Sequence, residues 1–473
     1  MPLILRRPVV VASPPAATLW VNPATGDDSR SKATVAASGG SLPWATIGRA
    51  VWGSTNRATP NTTEAADAGD VVSVAAGTYA YAGTVSSKSI PVYNAANSGT
   101  LGNPITFRAD GVVVLSAVSA NSPVIGAYQR DYIKWTADRV TGYWAITCDG
   151  RVPVDEVDTD DTKTGDVVNT KPDTGPVTIW DCTGTTIEGC TIDGGPSINY
   201  TDNWNGVRVE NGTGFTIRNN VIANFTRSVS GGTNHNQTCI TLYGAKDGII
   251  EHNDLSNAGA GVYFKDTGVT NAQNNNRVRY NAIHGVLEAV AFSITAEDRN
   301  YVYQNLITGC DFGLVVTGGG LSNDWIFNNT YYNCAQAVVY LANSSGSGGR
   351  FWNNIAHTSP IGIATNGFTM VADTVFDGEH NCWFNLTNFY NGSDGNRTFA
   401  SFKGAYADQE QAATVSVESD PLFVTNGSNF HLQGGSPAAT LGVDLGDLDV
   451  DGSTVDAIPA GCYVSGTETM GVV

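Results

Sequence analysis

Seven short segments of the chain share one order of apolar and polar positions: TIEGCTI, TIRNNVI, IIEHNDL, RVRYNAI, YVYQNLI, WIFNNTY and RFWNNIA. Their central column holds Cys190, Asn220, Asn253, Asn281, Asn305, Asn329 and Asn354, at steps of 30, 33, 28, 24, 24 and 25 residues. Three positions earlier stand Ile187, Ile217, Ile250, Val278, Val302, Ile326 and Phe351. Two positions later stand Ile192, Ile222, Leu255, Ile283, Ile307, Tyr331 and Ala356. A unit this short cannot bury its apolar side alone, but units stacked at roughly 4.8 Å share a continuous core. The spacing therefore predicts an all-β parallel solenoid. The polar column has a physical role in it, because Asn tolerates the left-handed backbone of a sharp turn and its amide can bond to the Asn above and below. An unpaired amide in that place would cost about 1–3 kcal/mol, which a ladder removes.

Composition agrees with strands and narrows the partners. The 473 residues include 54 Gly and 3 Met, and 15% are charged, which suits tightly turned strands better than helices. The net charge of −19 argues against phosphate-directed binding of nucleic acid and against docking on an anionic membrane. No apolar run approaches the roughly 20 residues of a membrane span, so a soluble protein is expected. Arg6 and Arg7 precede a short apolar patch interrupted by Pro8, Pro14 and Pro15, which makes a poor signal peptide and reads as an arm over residues 1–18. The eight cysteines show no CxxC spacing, so neither a zinc site nor a dense disulfide scaffold is indicated.

The Asn column, with LWVNPATGDD, PWATIGRAV, AGDVVSVAAGTY and GNPITFRADG near the beginning and DPLFVTNGSNFHLQGGSPAATLG near the end, resembles the pectate lyase superfamily. That resemblance implies a right-handed parallel β-helix with an Asn ladder between the second and third strand of each coil. It also implies a short capping helix at PWATIGRAV and an irregular C-terminal cap. The expected organisation is a cap with first coils over 19–110, the β-helix over 111–385 and the C-terminal cap over 386–473. An acidic surface loop is expected at 154–166. One coil apart, Cys310 and Cys334 fall within disulfide reach if stacked, and are read as reduced cysteines in an inward column with Phe225, Ala258 and Val286.

The resemblance implies a substrate groove along the strand preceding each ladder strand, here GVRVE, CITLYG, AGVYFKD, AVAFSIT and FGLVVTG. Alternation then sends Arg208, Glu210, Thr241, Tyr243, Tyr263, Lys265, Ser293, Thr295 and Thr317 outward. Aromatic rings beside charged groups suit a sugar chain. Tyr243 and Tyr263 are candidate substrate contacts, with Tyr200, Trp204 and His235 as walls. Eliminative cleavage of a uronate polymer needs a base for the C5 proton and a cation for the developing charge. By position Lys265 is the candidate base and Arg208 the candidate carboxylate partner, while Glu210, Asp202 and Asp266 could hold calcium. A hydrolase needs two carboxylates roughly 5–9.5 Å apart, and Glu210 with Glu297 or Asp298 is a weak set because those coils lie further apart. Asp447, Asp449 and Asp451 resemble a calcium loop but lack its closing glutamate, so an acidic turn is expected.

The expectation is a protein outside the cell or on a virion that binds a polysaccharide and cleaves it by elimination. A phage tail spike or fibre, which commonly forms a homotrimer and meets other tail proteins, is one such setting. A non-catalytic virion adsorption protein and a glycoside hydrolase are the alternatives.

Overall fold

In the computed structural model the described residues are 15–81, 89–116, 123–147, 175–195, 204–226, 236–265, 273–293, 297–317, 321, 323–342, 348–366, 377–405, 416–443 and 460–461. The acidic segment 154–166 and the Asp447–Asp449–Asp451 turn lie outside them. Strands dominate and their pairing is almost wholly parallel, with each strand bonded to the equivalent strand one coil away. The chain divides into two compact units, one spanning Val10–Ile249 with Asn257–Gly259, the other Ile250–Ser256 with Ala260–Val473.

The first unit opens on Leu19–Val21, paired in parallel with Val71–Ala80, which pairs in turn with Ile105–Ser116. The expected capping helix is Ile47–Trp52, and all six of its residues are buried. Thr46 caps its start by accepting from the Arg49 amide, and Gly53 ends it in the left-handed region at φ 67°. The Arg49 guanidinium donates to the carbonyls of Asp28, Arg30 and Glu64 and to the Glu64 carboxylate at 2.8 Å, which ties the helix to the preceding turn. Further along, Val177–Trp180, Trp204–Glu210 and Gln237–Tyr243 stack so that Val207 lies between Val177 and Ile240. The ladder begins where the sequence places it: Asn220 Oδ1 accepts from the Cys190 amide at 2.9 Å, and Nδ2 donates to the Ile187 carbonyl.

In the second unit Asn253, Asn281, Asn305, Asn329, Asn354 and Asn381 form one run of amide-to-amide bonds, between 2.9 and 3.3 Å. Each accepting oxygen also takes a backbone N–H one coil back, as Asn329 Oδ1 does from Asn305 N. All six are 2% exposed or less, so these buried polar groups are satisfied by one another. Two details depart from the expectation. The left-handed residue is the one before each ladder Asn, namely His252, Tyr280, Gln304, Asn328, Asn353 and His380, with φ between 53° and 57°. The turn is made there, which leaves the next side chain aimed inward. A second, shorter ladder runs through Asn276, Asn300 and Asp324, closed by bonds of 2.9 and 3.1 Å.

Cys310 and Cys334 are free and buried, as expected of core cysteines. The C-terminal cap carries the hairpin Phe423–Thr425 with Asn429–Leu432, whose Phe423, Phe430 and Leu432 pack against Leu306, Ile355 and Cys382. It thus covers the outer flank of the strands that follow the ladder.

Candidate functional site

The strands expected to carry the groove are formed as Trp204–Glu210, Gln237–Tyr243, Ala260–Lys265, Glu288–Ser293 and Phe312–Val316. Val207, Val209, Ile240, Leu242, Val262, Phe264, Phe292, Leu314 and Val316 are all buried, so the register is the expected one, while Ile294, also expected inward, and Thr295 lie outside the described residues. The opposite side chains are less open than alternation alone suggests.

In the first unit Arg208 sits between Thr178 and Thr241, while Glu210 sits between Trp180 and Tyr243. The Arg208 guanidinium lies 4.4 Å from the Tyr243 ring centre and 5.3 Å from that of Trp180. Both its Nε and one terminal nitrogen donate to Glu210 Oε2, at 3.0 and 2.6 Å. The fork is thus stacked on two rings and clamped by a carboxylate, a geometry that lysine could not reproduce. Arg208 and Glu210 retain side-chain exposures of 12% and 16%. Trp180 joins this group; VTIWD aligns with VRVEN and ITLYG, which is the sequence signal that places it.

Several expected contacts are corrected. Tyr243 is 5% exposed because the Arg208 guanidinium covers it, and Thr241 is 1% exposed. Trp204, 1% exposed, packs against Phe225 with ring centres 5.9 Å apart, so it is core and not a groove wall. Glu210, expected as a calcium ligand, is ion-paired to Arg208. Tyr200, Asp202, His235 and Asp266 lie outside the described residues, as do the side chains of Glu297 and Asp298. Among the described residues no three His, Cys, Asp or Glu side chains converge as a metal site would require.

In the second unit Lys265 ends its strand with a half-buried side chain, its Nζ 5.7 Å from the Tyr263 ring centre. Tyr263 is 3% exposed, not an open platform, because it packs with Ala260, Ala291 and Val315. Burial raises its phenol above the ordinary tyrosine range. The same unit holds a cleft of ≈ 470 Å³ beside the C-terminal hairpin, lined by His284, Thr308, Tyr332, Asn333, Ser428 and Phe430 among others. His284 Nε2 and Asp254 Oδ1 are 2.8 Å apart at its side.

Residues 175–325 match the family model described as a right handed beta helix region. No curated protein matches the sequence. Among solved structures, pectate lyase Pel9A is 12% identical, with 95% of this chain and 97% of that one covered and a TM-score of 0.48. A mannuronic acid specific polysaccharide family 6 lyase from human gut microbiota is 15% identical, with coverages of 73% and 74% and a TM-score of 0.46. A tailspike double mutant of E. coli bacteriophage HK620 is 10% identical, with coverages of 68% and 57% and a TM-score of 0.46. The chain is a right-handed parallel β-helix. That fold hosts many reactions, so the chemistry rests on the residues themselves.

Proposed function

We propose that the chain binds an acidic polysaccharide on the outward face of the strands preceding the ladder strands and cleaves it by β-elimination. The observation that carries this reading is the Trp180–Arg208–Glu210–Tyr243 cluster. The half-buried Trp180 in it suits the apolar face of a pyranose, and a substrate carboxylate would take the stacked guanidinium in competition with Glu210. In the reaction Lys265, as the neutral amine, removes the C5 proton of a uronate. The C5–H electron pair becomes the C4=C5 double bond, and the glycosidic oxygen leaves C4 with the bond pair and takes up a proton. Within the second unit Tyr263 positions Lys265 through its ring, and Arg208, in the first unit, is assigned only to binding a carboxylate of the polymer there. Such polymers lie outside cells, which supports a setting outside a cell or on a virion.

The test is to incubate the protein with polygalacturonate and with alginate, each with and without added calcium, and to follow the ultraviolet absorbance of the unsaturated product. Wild type should produce it, and Lys265→Ala should lower kcat by about 10²-fold or more while substrate is still bound. Full activity in Lys265→Ala would remove that residue from the mechanism. New reducing ends without the absorbance would mean hydrolysis, and binding with neither signal would mean an adhesin.

A further inference from the structure

The outward face of a different set of strands in the second unit carries a cluster of cationic and aromatic side chains. Arg277–Arg279, Tyr301–Tyr303, Trp325–Phe327, Arg350–Trp352 and Asp377–Glu379 pair in parallel, which aligns Arg277, Tyr301, Trp325, Arg350 and Asp377 in one outward row. Arg277, Tyr301, Trp325, Arg350 and Trp352 are partly exposed, and Arg299, in the link before Tyr301, is exposed. Guanidinium groups lie over the rings. Arg299 is 4.8 Å and Arg350 4.3 Å from the Trp325 ring centre, Arg350 is 4.7 Å from that of Trp352, and Arg277 is 5.9 Å from that of Tyr301. The row beside it is built differently: Arg279 is buried and ion-paired to Glu251 at 2.9 Å, with Tyr303 stacked on Phe327. Packing therefore accounts for Arg279, Tyr303 and Phe327.

We propose that the Arg277–Arg299–Tyr301–Trp325–Arg350–Trp352 ribbon is a binding surface for a carboxylated polysaccharide lying along the direction in which the coils stack. Three observations converge on that ligand. A chain with a net charge of −19 here gathers three partly or more exposed arginines on one row and its margin, where they attract anions. Guanidinium groups resting on rings are oriented in advance, so less entropy is lost when each takes a carboxylate. Successive coils are spaced by about 4.8 Å, similar to the advance of one pyranose along a chain, so rings and carboxylates meet a matching repeat. Asp377 and Glu379 close the ribbon beyond Arg350 and Trp352 and limit the anionic stretch on that side. The proposal shares only its ligand class with the elimination reading, because it uses none of the residues assigned there.

The test is calorimetric titration of the full chain with hexagalacturonate and with a neutral hexasaccharide at low salt, while tryptophan fluorescence is followed. Wild type should bind the acidic hexamer with a fluorescence change and a strong salt dependence. The Arg277→Glu/Arg299→Glu double variant should lose at least about tenfold in affinity together with the fluorescence change, at unchanged melting temperature. Arg299→Gln, a milder change at an exposed position, should weaken binding in the same direction. Unaltered binding in both variants, or equal affinity for the neutral hexamer, would overturn the proposal. Arg208→Ala separates the two readings: if it removes the only binding detected, the ribbon is not a site, whereas binding that survives it and is lost in the double variant fails the elimination reading alone.

Discussion

Asn305 shows how one side chain ties three coils together. Its Nδ2 donates to Asn329 Oδ1, to the Val278 carbonyl and to the Tyr303 carbonyl, while its Oδ1 accepts from Asn281 Nδ2 and from the Asn281 amide. In Asn305→Ala the Asn281 amide N–H is left buried without that acceptor, at a cost of about 1–3 kcal/mol, and the neighbouring amides lose bonds as well. The expected total is about 3–5 kcal/mol, read as a shift in the urea midpoint at constant slope. A loss below about 1 kcal/mol would mean that the ladder is ornamental. Glu379 works in the opposite sense. Burial, and then the neighbouring Asp377, raise its carboxyl above the ordinary glutamate range, against a smaller opposing effect of Arg350. The folded state therefore holds this proton more tightly than the unfolded one, so the stability it contributes is full below the unfolded pKa and is lost as pH rises through the folded value. Glu379→Gln is accordingly expected to melt higher than wild type at pH about 7, with the difference gone below pH about 4. Equal melting temperatures at neutral pH would contradict the cause assigned.

Among the elements, the helix Ile47–Trp52 depends on its terminal glycine. A Cβ on Gly53 would stand 1.9 Å from the Asn61 carbonyl oxygen and 2.4 Å from the Ala65 nitrogen, and both are backbone atoms that cannot swing aside. Added to the cost of φ 67° for a non-glycine residue, this predicts that Gly53→Ala loses about 2–4 kcal/mol. Gly39 is the control, since at φ 59° it has nothing within 4 Å of a Cβ, and Gly39→Ala should cost only about 1 kcal/mol. Thermal melts of the two variants side by side check the difference. The main ladder was legible as an element because a repeated Asn is a local signature, and period-two alternation gave the inward and outward sides of the groove strands, whereas the helix and the groove strands themselves were placed by the family resemblance. The second ladder at Asn276, Asn300 and Asp324 left an equally regular 24-residue trace. Its last member is Asp, and a search for repeated Asn passes over it.

For the molecule as a whole, the stacking of coils follows from the sequence for a plain reason. Apolar columns that no single coil can bury force equivalent positions over one another, and the register is then fixed by period-two alternation, which is why every tested inward residue is buried. Inward or outward direction was therefore decided by the sequence. Exposure was not, because it depends on what comes to lie over the outer face. Tyr243 is covered by Arg208, Tyr263 packs among Ala291 and Val315, and Trp204 turns into the core at its strand's beginning. Of the arginine ribbon, Arg277, Tyr301, Trp325 and Arg350 already share one column of the repeated segments, whereas Arg299, outside those segments, was brought to the Trp325 ring by tertiary structure. Periodicity carries information about neighbours one coil away on the same strand. Which charges and rings converge across turns is set by side-chain reach in three dimensions, and no one-dimensional pattern encodes that.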